Sequence, residues 1–468
     1  MLYAANDTIV APATIPGTGA LSIIRISGPD ALRICDAVLS CKVSELPGYS
    51  LKYSSVKDAS GKLLDTVMVS VFRAPHSYTG EDSAEISCHA SKYIVTELLS
   101  LLCNAGARMA DPGEFTKRAF LNGKMDLSQA EAVADVISSN NAASHRVAMT
   151  QLRGAYSQKL QQLRDELVDL AALLELELDF SEEDVEFANR NQLKIKLEET
   201  LLHIRNLIDS YKLGNVIKNG ISVAIVGPVN AGKSTLLNSI LGEDRAIVSE
   251  TAGTTRDTIE ESITLGGMLF RFIDTAGLRN TYESIESEGI RRSLSKISEA
   301  QLVLLVLDGN TALEELEHSA KEILSKVNFK EQKVLILLNK CDKNPINKNV
   351  KEFNNFVASI DNKTVTLEIS AKDKIGLDIL EKSIIDLFSA LEASEDAVLV
   401  TNIRHLEALK SAEKFLVNLA SGLTQNSPTD LLAQDLRDSI ESISSILGQS
   451  ITPDTILHTI FSRHCIGK

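Results

Sequence analysis

Gly227-Pro228-Val229-Asn230-Ala231-Gly232-Lys233-Ser234 fits the pattern GxxxxGK[ST], between the strand-like run "ISVAIV" and the helix-like run "STLLNSIL". That setting separates a phosphate-binding loop from a chance cluster of glycines. Glycine lets backbone amides approach phosphate oxygens without a Cβ in the way. Lys233 would bring its charge to the outer phosphates, and Ser234 would offer a hydroxyl to Mg2+. The helix that follows adds the positive end of its dipole. The loop alone leaves adenine and guanine undecided. Asn339-Lys340-Cys341-Asp342 fits NKxD directly after "KVLILL". Asp342 can accept two hydrogen bonds, from the N1–H and the amino group of guanine, which adenine cannot supply. A buried carboxylate left unpaired there would disfavour ATP.

The remaining parts fall in the matching order. Asp274-Thr275-Ala276-Gly277 ends the "FRFI" run, with Asp274 near the magnesium and the Gly277 amide able to turn toward the γ-phosphate. Ser370-Ala371-Lys372 follows the next strand, where a loop backs the base. The expected nucleotide contacts are therefore Asn230, Ala231, Gly232, Lys233, Ser234 and Thr235, then Ser249, Glu250, Thr251, Ala252, Gly253, Thr254 and Thr255. Asp274, Thr275, Ala276, Gly277, Asn339, Lys340, Asp342, Ser370, Ala371 and Lys372 complete the set. Order and spacing point to GTP hydrolysis. Many GTPases of the Ras type place a glutamine straight after this DTAG to orient water, but here the position is Leu278, which neither donates nor accepts. Another group must position the water, and another positive charge must serve the transition state, where an arginine finger is worth roughly 10³–10⁵ in rate.

The elements that would hold these residues show as three textures. The 468 residues, 44% hydrophobic and 24% charged, suit roughly three domains of ~150 residues. Residues 1–119 alternate β-rich runs such as "SIIRISG", "LLDTVMVSVF" and "SAEISCHA" with Gly, Pro and Asn breaks, the pattern of a small α/β domain. Ala155–Leu213 contains neither Gly nor Pro and repeats leucine every three or four residues, which predicts long amphipathic helices. Ten acidic residues and no basic one lie between Asp165 and Glu186, either a solvated helix face or an acidic docking surface. From Gly220, "ISVAIVG", "GMLFRFID", "QLVLLVLD", "KVLILLN" and "TVTLEIS" alternate with helix-length segments, predicting a doubly wound parallel sheet with ligand loops at the strand carboxyl ends. Helical pattern returns after about Ile384. The expected organisation is a first domain at 1–119, a helical domain at 120–216 and 387–468, and a nucleotide-binding domain inserted at 217–386.

Composition narrows the classes. The longest purely apolar stretches, such as Leu302–Leu307, are far short of the ~20 residues a membrane span needs. Met1–Pro12 reads as a first strand and not as a secretory signal. Six cysteines without metal-ligand or CxxC spacing suit a reduced, cytoplasmic protein, five of them as packing residues. A net charge of −15 argues against a surface that is basic throughout, although a local basic patch for RNA stays open.

Asn230 together with "SETAGTTRDT" (Ser249–Thr258) resembles the potassium-selective GTPases of the TrmE–Era group. The resemblance implies K+ held by Asn230, Ser249, Thr251 and Thr254, with Thr255 joining Ser234 on Mg2+. K+ would then supply positive charge where an arginine otherwise would. "DTAGLRNTYESIESEGIRR" resembles the second switch of the TrmE (MnmE) family of tRNA-modification GTPases and puts Glu286 at the water-orienting position, with Glu283 and Glu288 close by should the register slip.

The likeness extends beyond the nucleotide motifs. "NDTIVAPATIPGTGALSIIRISG", "SYTGED", "PGEFTKRAFLNGKMDLSQAEAVADVI" and the final "CIGK" resemble the same family, so the similarity is nearly end to end. It implies a tetrahydrofolate-binding first domain with Arg25, Glu81 and Lys124, joined by Lys468, as folate contacts. Read without the family, those charges are first of all surface ion pairs; the resemblance reverses that, since Arg and Lys suit the folate carboxylates and Glu81 suits the pterin donors. Cys465 is implied in the modification step, although His464 stands where the family has phenylalanine, and Pro228-Val229 stands where arginine-proline is common. The family further implies a homodimer that works with the flavoprotein MnmG on tRNA. Together they would install an aminomethyl or carboxymethylaminomethyl group at C5 of the wobble uridine, with the one-carbon unit coming from 5,10-methylene- or 5-formyl-tetrahydrofolate. A ribosome-assembly or regulatory GTPase of the same group is the alternative, and it would call for a basic RNA-binding module. A folate-binding scaffold with a vestigial nucleotide site is disfavoured by intact Lys233, Ser234, Thr255, Asp274 and Asp342.

Overall fold

The computed structural model describes residues 7–179, 190–242, 261–273, 297–343, 350–388, 398–425 and 427–449. The chain divides into two compact units, one of residues 1–138, 148–208 and 403–468, the other of residues 139–147 and 209–402.

In the first unit a six-stranded sheet has the order β3-β4-β5-β2-β1-β6, with β1 Ile9–Pro12, β2 Ser22–Ser27, β3 Ser50–Lys57, β4 Leu63–Phe72, β5 Ser83–Cys88 and β6 Arg108–Met109. Neighbours are antiparallel except β1 and β6. One face of the sheet packs α1 (Ala31–Val38) and α2 (Lys92–Asn104) through Val10, Ile24, Ile26, Val69, Val71, Ile86, Leu98 and Leu102. Alternation explains which face that is, since successive strand side chains point to opposite sides of a sheet. Cys35 and Cys88 are buried in this core, and burial pushes their thiols up to about 12 and about 11, as suits packing residues. The short helix α3 (Glu114–Leu121) starts after Gly113, whose φ of 70° is left-handed and so favours glycine.

The helical part of this unit comprises α4 (Leu127–Ser138), α6 (Ala155–Asp179), α12 (Ile403–Thr424) and α13 (Thr429–Leu447), with α5 (Ala142–Leu152) and α7 (Arg190–Asn219) running into the second unit. Leu160, Leu163, Leu167, Leu170 and Leu174 are buried along α6, the three- and four-residue spacing that puts them on one face. No described helix is long and apolar enough to cross a membrane.

In the second unit the sheet order is β12-β11-β10-β7-β9-β8, with β7 Ile221–Val226, β8 Glu261–Leu265, β9 Met268–Phe272, β10 Leu302–Asp308, β11 Lys333–Asn339 and β12 Val365–Glu368. Every run expected to be a strand here is one, and the doubly wound parallel sheet is present. It differs at one edge, where β8 pairs antiparallel with β9. The cause is the two-residue turn Gly266-Gly267, both at positive φ (56° and 79°), which closes a hairpin instead of a crossover. Helices α8 (Lys233–Leu241), α9 (Leu313–Leu324), α10 (Val350–Ile360) and α11 (Leu377–Phe388) complete the unit. Two cores, one on each face, bury β7, β10 and β11 on both sides, which is why these strands read as continuous apolar runs.

Candidate active site

The strand order turns back at β7, which lies between β10 and β9, so the loops after β7 and β10 diverge and open a crevice. Residues 227–234, the expected phosphate loop, follow β7 at that position. Gly227 has φ 147°, and a Cβ on it would lie 2.0 Å from the Val306 carbonyl oxygen of β10. Gly232 has φ 100°, and a Cβ there would lie 2.1 Å from Nδ2 of Asn339. Both positions therefore exclude any larger residue. Asn230 is exposed and also left-handed, with φ 60°. Gly232 caps α8, so the amides at the start of that helix face the loop.

Lys233 curls back over its own loop, its Nζ donating to the carbonyl oxygens of Gly227 (2.9 Å) and Pro228 (2.7 Å). Burial lowers its pKa. Ser234 is the second residue of α8, and Thr235, next to it, is exposed.

The loop after β11 ties the site together. Asn339, buried at 3% exposure, donates from Nδ2 to the Ala231 carbonyl (2.8 Å) and accepts at Oδ1 from the Ala371 amide (2.9 Å). One side chain thus joins the phosphate loop to the base loop. Lys340 makes a second strap, donating to the Asn230 carbonyl (2.7 Å) and to Asp308 Oδ2 (2.8 Å). Burial would raise the Asp308 carboxyl, but the bond from Lys340 and the Asn310 amide hold it below the usual range. Asp342 accepts at Oδ1 from Ser370 Oγ (2.7 Å), which fixes the carboxylate while leaving it acceptor capacity. Asp342 is exposed, contrary to the buried carboxylate expected, so any penalty for a wrong base depends on the base covering it. Ser239 of α8 donates to the Ala371 carbonyl (2.6 Å), and Lys372 points to solvent.

Two of these contributors were not singled out from the sequence. Asp308 ends β10 and lies in register with Asn339 at the end of β11, so the signal was a polar residue closing each apolar strand. Ser239 carried no signal. Ser249, Glu250, Thr251, Ala252, Gly253, Thr254, Thr255, Asp274, Thr275, Ala276, Gly277, Leu278, Glu286, Cys465 and Lys468 lie outside the described residues.

A second polar cluster occupies the first unit. Arg25 on β2 faces Glu85 on β5 across the antiparallel register, its Nε and Nη2 both bonding Glu85 Oε1 (2.9 and 2.8 Å). Its guanidinium lies 5.2 Å from the ring centre of Tyr78 and 5.7 Å from that of Phe115. Ser27, two residues along the same face of β2, donates to Glu81 Oε2 (2.8 Å). Lys124 is exposed, donates to the Pro75 carbonyl (2.9 Å) and lays its stem beside Gly80. Arg25, Glu81 and Lys124 therefore share the loop of residues 75–82. Glu81 is also reached by Arg118, which the sequence reading missed. Its signal is an arginine one turn after Glu114 on a short helix that follows a proline.

Comparison with known proteins covers both regions. The model described as "GTP-binding protein TrmE N-terminus" matches residues 8–124, and that described as "MnmE helical domain" matches residues 127–465. The tRNA modification GTPase MnmE of Bacteroides fragilis strain YCH46 is 46% identical over 473 residues, covering 99% of this chain and 100% of the relative. That of Christiangramia forsetii is 46% identical, covering 99% of each chain, and that of Flavobacterium johnsoniae is 47% identical, again covering 99% of each. Among solved structures, a GTP-binding protein of Sulfolobus solfataricus in complex with GDP is 21% identical over 49% of this chain and 68% of that one. The TM-score of that pair is 0.28. With two family models matching residues 8–124 and 127–465 and relatives 46% identical from end to end, the chain belongs to the TrmE (MnmE) family.

Proposed function

We propose that this chain is a GTP-hydrolysing enzyme of tRNA modification. The observation that carries the reading is the junction in which Asn339 and Lys340 strap the phosphate loop to the guanine-reading loops, in a chain matched over its whole length by curated tRNA modification GTPases. The residues fit a magnesium–nucleotide ligand: Gly227 and Gly232 leave no room for a Cβ, and Lys233 holds its amine on carbonyls that phosphate oxygens can replace. GTP supplies the anhydride to be cleaved, and Mg2+ supplies charge across its outer phosphates. Ser234 and Thr255 would hold the metal and Lys233 would neutralise the phosphates. Asp342 would orient guanine, while Asn339 and Lys340 keep the loops in register.

K+ held by Asn230, Ser249, Thr251 and Thr254 would supply further positive charge, a reading supported by the left-handed, exposed Asn230. Glu286 would orient the attacking water in place of apolar Leu278. Within the first domain, Arg25, Glu81, Lys124 and Lys468 would bind a tetrahydrofolate one-carbon carrier. The shared loop of residues 75–82 and the aromatic faces of Tyr78 and Phe115 support this reading. Cys465 would act in the modification step. Folate domain 1–119, helical segments 120–216 and 387–468, and GTPase domain 217–386 would form a cytoplasmic homodimer. With the flavoprotein MnmG, this dimer would add an aminomethyl or carboxymethylaminomethyl group to C5 of the wobble uridine in certain tRNAs.

Mass spectrometry of tRNA from cells lacking this chain tests the proposal. Wobble uridines should lose the modification, and the wild-type chain should restore it. Fully modified wobble uridines in the deletion strain would sink it.

A further inference from the structure

Arg118 carries more of the first-unit cluster than any residue proposed to touch folate. Its Nη1 donates to the Asp7 carbonyl (2.9 Å) and to Glu81 Oε1 and Oε2 (3.2 and 3.4 Å), and its Nη2 donates to Asp7 Oδ1 (2.7 Å) and Glu114 Oε1 (3.1 Å). Its side chain is 9% exposed and that of Glu114 is 2% exposed. A guanidinium taken from water at such depth is poor value for stability alone, because apolar side chains of similar volume serve as well.

The three carboxylates around it are not equally satisfied. Glu114 accepts from Arg108 on both oxygens (2.6 and 3.0 Å) and from the Asp111 amide (2.8 Å). Asp7 accepts from Arg108 (2.8 Å) as well as from Arg118. Burial would raise both carboxyls, yet the two arginines hold both below the usual range. Glu81 has only the two longest Arg118 contacts and the Ser27 hydroxyl, and its side chain is 19% exposed. In this set two guanidiniums face three carboxylates, so one negative charge is in excess, and it falls on the carboxylate with the loosest contacts. Glu81 is thus aimed by Ser27 and Arg118 but keeps lone pairs for a further pair of donors.

We infer that Arg118, anchored by Asp7 and Glu114, is the positioning residue that presents Glu81 to the N3–H and 2-amino donors of a pterin. The inference rests on the folate reading of this site. Paired donors on a flat ring match the two oxygens of a fixed carboxylate, the same fork geometry that makes charge-assisted pairs directional. Without Arg118 the Glu81 side chain keeps its charge but loses its aim.

The test is calorimetric binding of 5-formyl-tetrahydrofolate and of its 2-desamino analogue to the full-length wild type, Glu81→Gln, Arg118→Met and Arg118→Lys, with thermal melting to confirm folding. The wild type should prefer the 2-amino ligand by about 10- to 100-fold, the range for a hydrogen bond to a charged group. Arg118→Met should lose that preference as fully as Glu81→Gln, and Arg118→Lys, which keeps the charge without the fork, should lose part of it. A general structural weakening would instead lower both affinities equally and leave the preference intact; that result in Arg118→Met, or in Arg118→Lys if the methionine variant does not fold, overturns the inference. Wild type that binds neither ligand overturns the folate reading and the inference with it, whereas loss of preference in Glu81→Gln alone overturns only the role of Arg118.

Discussion

Replacing Asn339 by alanine should uncouple the phosphate loop from the base loop. The side chain makes two hydrogen bonds, to the Ala231 carbonyl and from the Ala371 amide, between residues that are 2% and 1% exposed. Truncation leaves both backbone groups buried without that partner, at about 1–3 kcal/mol each, or about 2–6 kcal/mol together. In the free protein this should lower the melting temperature of the nucleotide-binding unit by about 5–15 °C. Bound nucleotide restrains the same loops, so part of the cost should appear as GDP affinity weakened by about 10- to 100-fold, chiefly through faster dissociation. Asn339→Asp separates the two bonds. Its carboxylate still accepts from the Ala371 amide, but its second oxygen meets the Ala231 carbonyl oxygen where Nδ2 stood at 2.8 Å. Because that carboxylate would be buried against an oxygen, this variant should melt no higher than Asn339→Ala and release GDP at least as fast. Stopped-flow displacement of a fluorescent GDP, read beside calorimetry, measures both quantities. GDP release within threefold of wild type in both variants, at unchanged melting temperature, would refute the view that this side chain couples the loops.

Asp342→Asn should erode the preference for guanine, since one carboxylate oxygen becomes a donor facing the donors of the base; undiminished GTP-over-ATP selectivity in competition binding would count against that role. Glu286→Ala should leave GTP affinity nearly intact while lowering turnover at least 100-fold, checked by single-turnover hydrolysis. Wild-type turnover should be fast in K+ and slow in Na+ or Cs+, and equal rates in the three salts would remove the monovalent ion from the mechanism. In the helical part, Glu131 accepts from Arg404 (2.9 Å) and lies 2.6 Å from Nε2 of buried His405. Burial would raise its carboxyl, but His405 and Arg404 draw it down to about 2, from 4.5. Because the folded value is depressed, this contribution of about 3 kcal/mol is complete above pH 4.5 and is lost as the pH falls toward 2. Glu131→Gln should lower stability at pH 7 by about that amount and flatten the acid limb of a denaturation series; a parallel acid limb in the variant would contradict the assignment.

Much of the fold was legible because local pattern encodes it. Continuous apolar runs marked β7, β9, β10, β11 and β12, and leucine spacing marked α6 and α7. Strand β8 escaped because "ESITL" is short and mixed, and its antiparallel direction follows from the geometry of Gly266-Gly267. The strands β3 and β6 show a similar limit, since pairing partners carry much of what makes them strands, whereas β1 lies within the stretch of residues 1–12 that reads as a first strand.

Residue types and order alone pointed to a phosphate loop, an NKxD segment and a base loop, because each motif is contiguous and its chemistry lies in the residues themselves. Only the tertiary structure decided what holds them in place. Lys340 meets Asp308 through strand register, Gly227 must be glycine because β10 passes against it, and Asn339 faces two loops at once. Likewise Arg118 gathers Asp7, Glu81 and Glu114 from distant parts of the chain. Local sequence sets periodicity and turn chemistry, whereas such contacts depend on which strands pair and in what register, and no single segment encodes that.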